Sequence, residues 1–517
     1  MNITQGLRRA LQMKAGGIAV LEGDKSWTWG EVGARVARLA GALHGLGIGD
    51  GDRVAVLAMN SARYLELYLG TAWAGGVIVP LNIRWSVLEN TDALQDSGAK
   101  VLFVDQAFME AGQALAQALP DVRLVYADDG TAPAGMADYE ALLAAATPVA
   151  DAMRGRDDLA GIFYTGGTTG RSKGVMLSHG NLVTDSLHAL AEGMFSPTGT
   201  YLHAAPMFHL ANGAAMYAML LGAGTNVIVR AFSPEAVMDA IARHRVTQVL
   251  LVPTMVQMLV DHPAMGSRDL SSLERILYGA SPMSEAVLDR TAAALPHVEF
   301  MQAYGMTELS PIATLLPPEE HVAGRAKGRH RSAGRAAIGV DVRIVDEDDN
   351  EVPRGTIGEI VARGANVMMG YWNRPEETAK AVVDGWMHTG DGGYMDEDGF
   401  VYVVDRIKDM IISGGENIYS TEVENTVAQY PGVLQCAVIG IPDERWGEAV
   451  HAIIVVRPDA EIDPAQVIAF CKERIAGYKC PRSVEARTEP LPMSGAGKIL
   501  KRDLRQPFWQ DRNRRVA

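Results

Sequence analysis

The chain has 517 residues, 48% of them hydrophobic and 21% charged, with a formal net charge of −15. That length exceeds one ordinary domain, the composition is that of a soluble globular protein, and the negative charge argues against a nucleic-acid-binding surface. Cys436, Cys471 and Cys480 form no C-x-x-C pair, which excludes zinc-ligand spacing and a disulfide framework and points to reduced thiols.

The first residues, Met1 to Arg9, are not followed by an apolar signal core, and no run reaches the length of a membrane helix. The expectation is a cytoplasmic protein with no transmembrane segment. Thr28-Trp-Gly-Glu31 predicts a capping box, and Val32, Val36, Leu39 and Leu43 give the helix behind it one apolar face. Short apolar runs at 53–58, 76–80, 100–104, 122–126, 226–230, 246–252 and 275–278 alternate with helical patterns. This predicts α/β sheets wrapped by helices. The basic stretch 325–335, with Arg325, Lys327, Arg329, Arg331 and Arg335, reads as a solvated loop. From 386 to 404 turn residues alternate with short strands, a β-rich subdomain. After Asp405 a smaller α/β pattern begins. Thr421-Glu-Val-Glu424 reads as a second capping box, 434–439 and 449–456 as strands, and 464–476 as a helix. The expected division is therefore a large N-terminal domain, 1–405, and a small C-terminal α+β domain, 406–517.

The densest functional signal is Tyr164-Thr-Gly-Gly-Thr-Thr-Gly-Arg-Ser-Lys-Gly174. Glycines let backbone amides approach an anion, hydroxyls add donors, and Arg171 and Lys173 add charge, a composition suited to phosphates. It is not a Walker A loop, because Gly170 is followed by Arg171-Ser172-Lys173. Downstream come Tyr304-Gly-Met-Thr-Glu308, Thr389-Gly-Asp391, Asp405-Arg-Ile-Lys-Asp-Met-Ile-Ile-Ser-Gly-Gly415 and Gly495-Ala-Gly-Lys498. Five motifs in this order resemble the adenylate-forming superfamily of acyl-CoA synthetases, 4-coumarate–CoA ligases, luciferases and peptide-synthetase adenylation domains. The resemblance spans nearly the whole chain.

That resemblance implies ATP, Mg²⁺ and coenzyme A as reactants and cofactor, and a small carboxylic acid as substrate. Thr165, Gly166, Gly167, Thr168, Thr169, Gly170 and Lys173 would cradle the β- and γ-phosphates. Gly166 stands where a Ser is common and Ser172 where a Pro is common, and the first change removes one donor. Glu308, with Thr165, would hold Mg²⁺, for which one carboxylate beside phosphate oxygens and waters suffices. Thr307 would meet the α-phosphate within Gly305-Met306-Thr307, Tyr304 would stack on adenine, and Gly279-Ala280-Ser281 would form the adenine-side wall. Asp391 and Arg406 would serve the ribose. Lys498 would bridge the incoming carboxylate and the α-phosphate, an effect worth several kcal/mol. The C-terminal domain would be mobile and pivot at Lys408, and Ser413, Gly414 and Gly415 would then line the CoA tunnel, with Trp446 and Tyr478 nearby. Cys480 falls where some relatives carry an Arg for the CoA phosphates.

At the acyl end, His209 stands where amino-acid-activating relatives carry an Asp, so an amino-acid substrate is not expected, and His209 resembles a gate. His209, Ala211, Ala215, Gly279, Ala303 and Pro311 outline an apolar pocket, and Ala303 replaces a common Gly. A medium or long fatty acid or an apolar aryl acid fits it, and the lack of a second cation weighs against malonate. The expected function is an AMP-forming acyl-CoA ligase. The alternatives are an acyl-AMP ligase that loads a carrier protein, and a non-catalytic nucleotide-binding protein. The assembly is left open, with a homodimer among the options.

Overall fold

The capping box at Thr28 forms. Its hydroxyl accepts the Glu31 amide, and Glu31 Oε2 accepts the Thr28 amide at 2.7 Å, opening the helix Trp29–Gly45. Val32, Val36, Leu39 and Leu43 are buried, so the periodic face is the packing face. The computed structural model describes residues 1–165, 172–281, 283–414, 416–458, 460–494 and 498–509.

Two large sheets carry the front of the chain. One runs Gly370–Tyr371, Lys173–Ser178, Leu159–Thr165, Val77–Pro80, Arg53–Leu57, Val101–Val104, Arg123–Tyr126 and Ala137–Asp138. The other runs Arg335–Ala336, Thr314–Leu316, Glu299–Tyr304, Arg275–Gly279, Gln248–Leu250, Thr200–His203, Thr225–Ile228, Ile18–Glu22 and Lys25–Thr28. The central pairings of both are parallel, as helical crossovers require. One apolar core packs against both sheets and includes the fully buried Trp29, Tyr64, Tyr68, Phe103, Tyr201 and Tyr217. Each such side chain contributes about 1.5–3 kcal/mol by leaving water. Thr165, Gly279 and Tyr304 are the last residues of their strands, so the candidate site opens at carboxyl ends, where open α/β sheets bind ligands.

An antiparallel sheet of Val340–Val345, Gly358–Gly364, Trp386–Met395 and Val382–Val383 follows, with Val401–Arg406 paired to Trp386–Met395. Beyond the 3-10 turn Ile407–Asp409, a smaller sheet joins Glu416–Ile418, Ile411–Ser413, Gly447–Val456 and Val433–Asp443, with Ser483–Arg487 parallel to Gly447–Val456. Ile411, Ile418, Val423, Val427, Val438, Val450, Ile454 and Val467 form its own core. The fold is mixed α/β, with a large N-terminal part and a smaller C-terminal part.

One sequence expectation needs correction. The second capping box does not form: the helix is Ser420–Val427, and no side chain caps it at Tyr419. Glu424 instead accepts the Val438 amide at 2.7 Å and pairs with Lys501 at 2.8 Å, because it is turned inward. The basic stretch is solvated as expected, with Arg325, Lys327, Arg331 and Arg335 exposed, and it winds through the short turns Ala323–Lys327 and Arg329–Arg331. Arg325 pairs with Asp289, Arg329 with Asp398 and Arg331 with Glu285, while Arg335 lies 4.2 Å over the Phe400 ring. These charges are neutralised or stacked locally.

Candidate active site

Thr165 and Lys173 face each other across an antiparallel pair. Gly166, Gly167, Thr168, Thr169 and Gly170 lie outside the described residues. Lys173 Nζ is 2.5 Å from Glu377 Oε2 and 4.9 Å from the centre of the Tyr371 ring. The Tyr371 hydroxyl donates to Glu308 Oε1 at 2.9 Å. One aromatic side chain thus stands between a lysine and a carboxylate that are far apart in sequence. Tyr371 is itself placed by its strand pairing with Val175 and by its amide's bond to Thr378 Oγ1 at 2.9 Å.

Glu308 is 5% exposed. Burial raises its pKa, opposed by its backbone amide, by the Tyr371 hydroxyl and by the positive charges of Arg406 and Lys498. The turn that carries it, Thr307–Leu309, is clamped from behind. Asn366 Nδ2 donates to Leu309 O at 2.9 Å and to Ile312 O at 2.7 Å, and Ser310 Oγ returns a bond to Asn366 O at 2.7 Å. Asn181 holds Ala365 O and Val367 O, both at 2.8 Å, and Asp185 accepts the Ile312 amide at 3.0 Å. Leaving such buried groups unpaired costs about 1–3 kcal/mol each, so the clamp fixes the turn. Gly305 is required on steric grounds, since a Cβ there would lie 2.0 Å from Pro311 O.

Asp391 is buried opposite Arg406 in the strand pair. Its Oδ1 meets Arg406 Nε at 2.8 Å, and its Oδ2 accepts the Tyr304 hydroxyl at 2.8 Å. Each carboxylate oxygen keeps a further lone pair, so room for two hydroxyl donors remains. Ala280 takes φ +67 at the end of the strand Arg275–Gly279, a conformation that costs a residue with a Cβ about 1–2 kcal/mol. Ser281, Met306 and Thr307 are half-buried alongside. Gly279 is required on steric grounds as well. A Cβ there would lie 2.3 Å from Ala303 O, its partner in the parallel pair, so this wall cannot be enlarged without moving backbone.

His209 immediately precedes the helix Leu210–Gly222, and its ring lies 4.2 Å from that of Phe208. The preceding loop is pinned by Asn60, whose Oδ1 accepts the Met207 amide at 2.7 Å, and by Tyr68, which donates to Met207 O at 2.8 Å. Ala211, Ala303 and Pro311 are half-buried, whereas Ala215 is fully buried in the core.

Lys498 belongs to a hairpin whose arms pair at Met493 and Ile499, with Ser494 N donating to Lys498 O at 2.7 Å. Arg84, from the large part, donates to Ser494 O at 2.7 Å. That bond ties this segment to the large part, and the Lys498 charge, like that of Arg406, lowers the Glu308 pKa. Lys408 lies in the turn Ile407–Asp409. Gly414 has φ +64, and a Cβ there would lie 2.6 Å from the Trp446 ring, so the tight turn and that ring require the glycine. Gly415 lies outside the described residues. Ser413 pairs with Gly447, Tyr478 is exposed, and Arg445 and Arg482 each lie 4.7 Å from the Trp446 ring. Tyr371, Glu377, Asn366, Asn181, Arg84, Arg445 and Arg482 were not singled out from sequence. None lies in a motif of the kind read there, and strand pairing alone brings Tyr371 to Lys173.

Residues 7–372 match the model of the AMP-binding enzyme family, and residues 422–498 match that of the AMP-binding enzyme C-terminal domain. A feruloyl-CoA synthase of an Amycolatopsis species is 44% identical, over 97% of this chain and 98% of its own length. A medium/long-chain-fatty-acid–CoA ligase of Mycobacterium tuberculosis is 35% identical, over 96% of this chain and 88% of its own. The ATP-bound crystal structure of MatB from Rhodopseudomonas palustris is 32% identical, covers 99% of both chains and superposes with a TM-score of 0.88, against 0.78 for its apo structure. The chain belongs to the AMP-binding enzyme family, in the acyl-CoA synthetase branch of the adenylate-forming superfamily, and is an AMP-forming acyl-CoA ligase.

Proposed function

We propose that the enzyme activates an apolar carboxylic acid, an aryl acid of the feruloyl kind first and a medium or long fatty acid second. The 44% identical feruloyl-CoA synthase and the 35% identical fatty-acid ligase support this order. So do the small, uncharged residues Ala211, Ala303 and Pro311. In the first step a carboxylate oxygen attacks the α-phosphorus of ATP and pyrophosphate leaves. In the second the CoA thiol sulfur attacks the acyl carbonyl, its proton is lost, and AMP leaves.

Lys173 and Thr165 serve the β- and γ-phosphates, Thr307 the α-phosphate, Tyr304 the adenine, and Asp391 with Arg406 the ribose. Lys498 neutralises charge where carboxylate and α-phosphate meet, a place where one ammonium is worth several kcal/mol. Glu308 and Thr165 would hold Mg²⁺. The fit rests on the donor set: a buried carboxylate with one oxygen bound by Tyr371 keeps acceptor capacity for a hard cation. When bound, Mg²⁺ supplies charge neutralisation on the phosphates. Residues 406–517 turn about Lys408 between the two steps, bringing Ser413, Gly414, Gly415, Trp446 and Tyr478 to the thiol, with Arg445 and Arg482 as candidate partners for CoA phosphates. The proposed place of action is the cytoplasm; no helix among the described residues is long and apolar enough to cross a membrane.

The observation that supports this reading is the Arg84 contact that ties Ser494 to the large part, together with the Lys498 charge that lowers the Glu308 pKa. Lys498→Ala should cut adenylate formation several-hundred-fold or more and leave thioester formation from supplied acyl adenylate within about threefold. Equal loss in both half-reactions would assign Lys498 another role.

A further inference from the structure

Lys173 is held from two sides by one short segment. Glu377 stands in the first turn of the helix Pro375–Ala381, with Oε2 at 2.5 Å from the Lys173 ammonium, and the Tyr371 ring lies 4.9 Å from it. The segment is rigid at both contacts. Tyr371 is fixed by its strand pairing and by Thr378, whose hydroxyl also donates to Arg374 O at 2.8 Å. Arg374 Nε lies 3.9 Å from the other oxygen of Glu377, so this carboxylate bridges two cations. The contact with Lys173 holds the Glu377 carboxyl below its usual range, and the carboxylate stays ionised at neutral pH.

We propose that Glu377 sets nucleotide affinity by competing with the terminal phosphates of ATP for the Lys173 ammonium. This rests on the reading of Lys173 as a phosphate cation. An ammonium is a compact charge with three donors, and a carboxylate in contact engages one of them and cancels the field that an incoming anion would meet. A triphosphate carries enough charge to displace one carboxylate, whereas a nucleotide without β- and γ-phosphates never contests it. Tyr371 keeps the ammonium in place during the exchange, because its ring attracts the cation without neutralising it. Both charged side chains are partly exposed, at 22% and 35%, so the exchange is mild and tunes affinity without blocking it.

The test is calorimetric binding of ATP and of AMP, at fixed Mg²⁺, to the wild type, Glu377→Gln, Lys173→Met and the double variant. Glu377→Gln should tighten ATP about threefold and leave AMP unchanged, and in the Lys173→Met background it should have no effect on either. An ATP affinity that is unchanged or weaker in Glu377→Gln overturns the proposal. So does a gain that persists without Lys173, since it would come from general charge removal. If Lys173→Met alone leaves ATP affinity intact, the phosphate reading of Lys173 fails, and the proposal fails with it on that separate ground.

Discussion

At the end of the site proposed for the nucleotide, charged groups meet named partners at contact distance: Lys173 with Glu377, Glu308 with Tyr371, and Asp391 with both Arg406 and Tyr304. At the proposed acyl end stand the half-buried Ala211, Ala303 and Pro311, beside a loop pinned by the buried bonds of Asn60 and Tyr68. The two ends carry different kinds of information. Polar constellations are geometrically demanding, because an unpaired buried charge or dipole costs several kcal/mol, so their residues spell out a reaction. An apolar wall constrains only volume, and one methylene discriminates by about 1–3 kcal/mol, so the same residues serve many acids.

Substitutions at the two ends should therefore differ in kind. The largest effect at the polar end, after loss of Lys498, is expected for Asp391→Ala, which strips both Arg406 and Tyr304 of their acceptor. Two lost charge-linked bonds at about 1.5 kcal/mol each predict a fall of roughly a hundredfold in kcat/KM for ATP, the same for every acid tested. A loss that varied with the acid would erase the distinction between the ends. Tyr371→Phe removes only the hydroxyl bond to Glu308 and keeps the ring under Lys173. It should raise the KM for Mg²⁺–ATP about fivefold to tenfold with little change in kcat, and the shift should appear equally in equilibrium binding. An unchanged affinity would mean that Glu308 is oriented without Tyr371. The smallest effect belongs to the acyl end. Ala211→Leu should cost the bulkiest accepted acids about tenfold and spare the smallest, measured as kcat/KM across a series. A uniform drop would place Ala211 outside the pocket. Gly279 is no substitute for this test, because a side chain there meets the Ala303 carbonyl and would report on the fold.

The sequence was legible where local rules act alone. Thr28 and Glu31 cap their helix because the box needs four consecutive residues and nothing else. Thr421 and Glu424 share that spacing and fail, because tertiary contacts with Val438 and Lys501 claim Glu424 first. Glu308, Asp391 and Lys498 stood out as members of motifs, and the fold brings their segments together. Their supports did not stand out: Tyr371, Asn366 and Asn181 act through partners far along the chain, and a lone Tyr or Asn in an apolar stretch carries no local sign of such a role. Gly279 and Gly414 show a subtler limit. Both read as space for a ligand, yet neighbouring protein atoms require each of them to be glycine.

The most direct test of a demanding polar end joined to a permissive apolar end is a panel of acids incubated with ATP and Mg²⁺, with AMP and acyl-CoA measured with and without CoA. The panel should include ferulate and related aryl acids, fatty acids of graded length, malonate and an amino acid. The account predicts CoA-dependent AMP release matched one-to-one by acyl-CoA for several apolar acids, with malonate and the amino acid at least a hundredfold poorer. AMP release without acyl-CoA, or a preference for malonate or the amino acid, would contradict it.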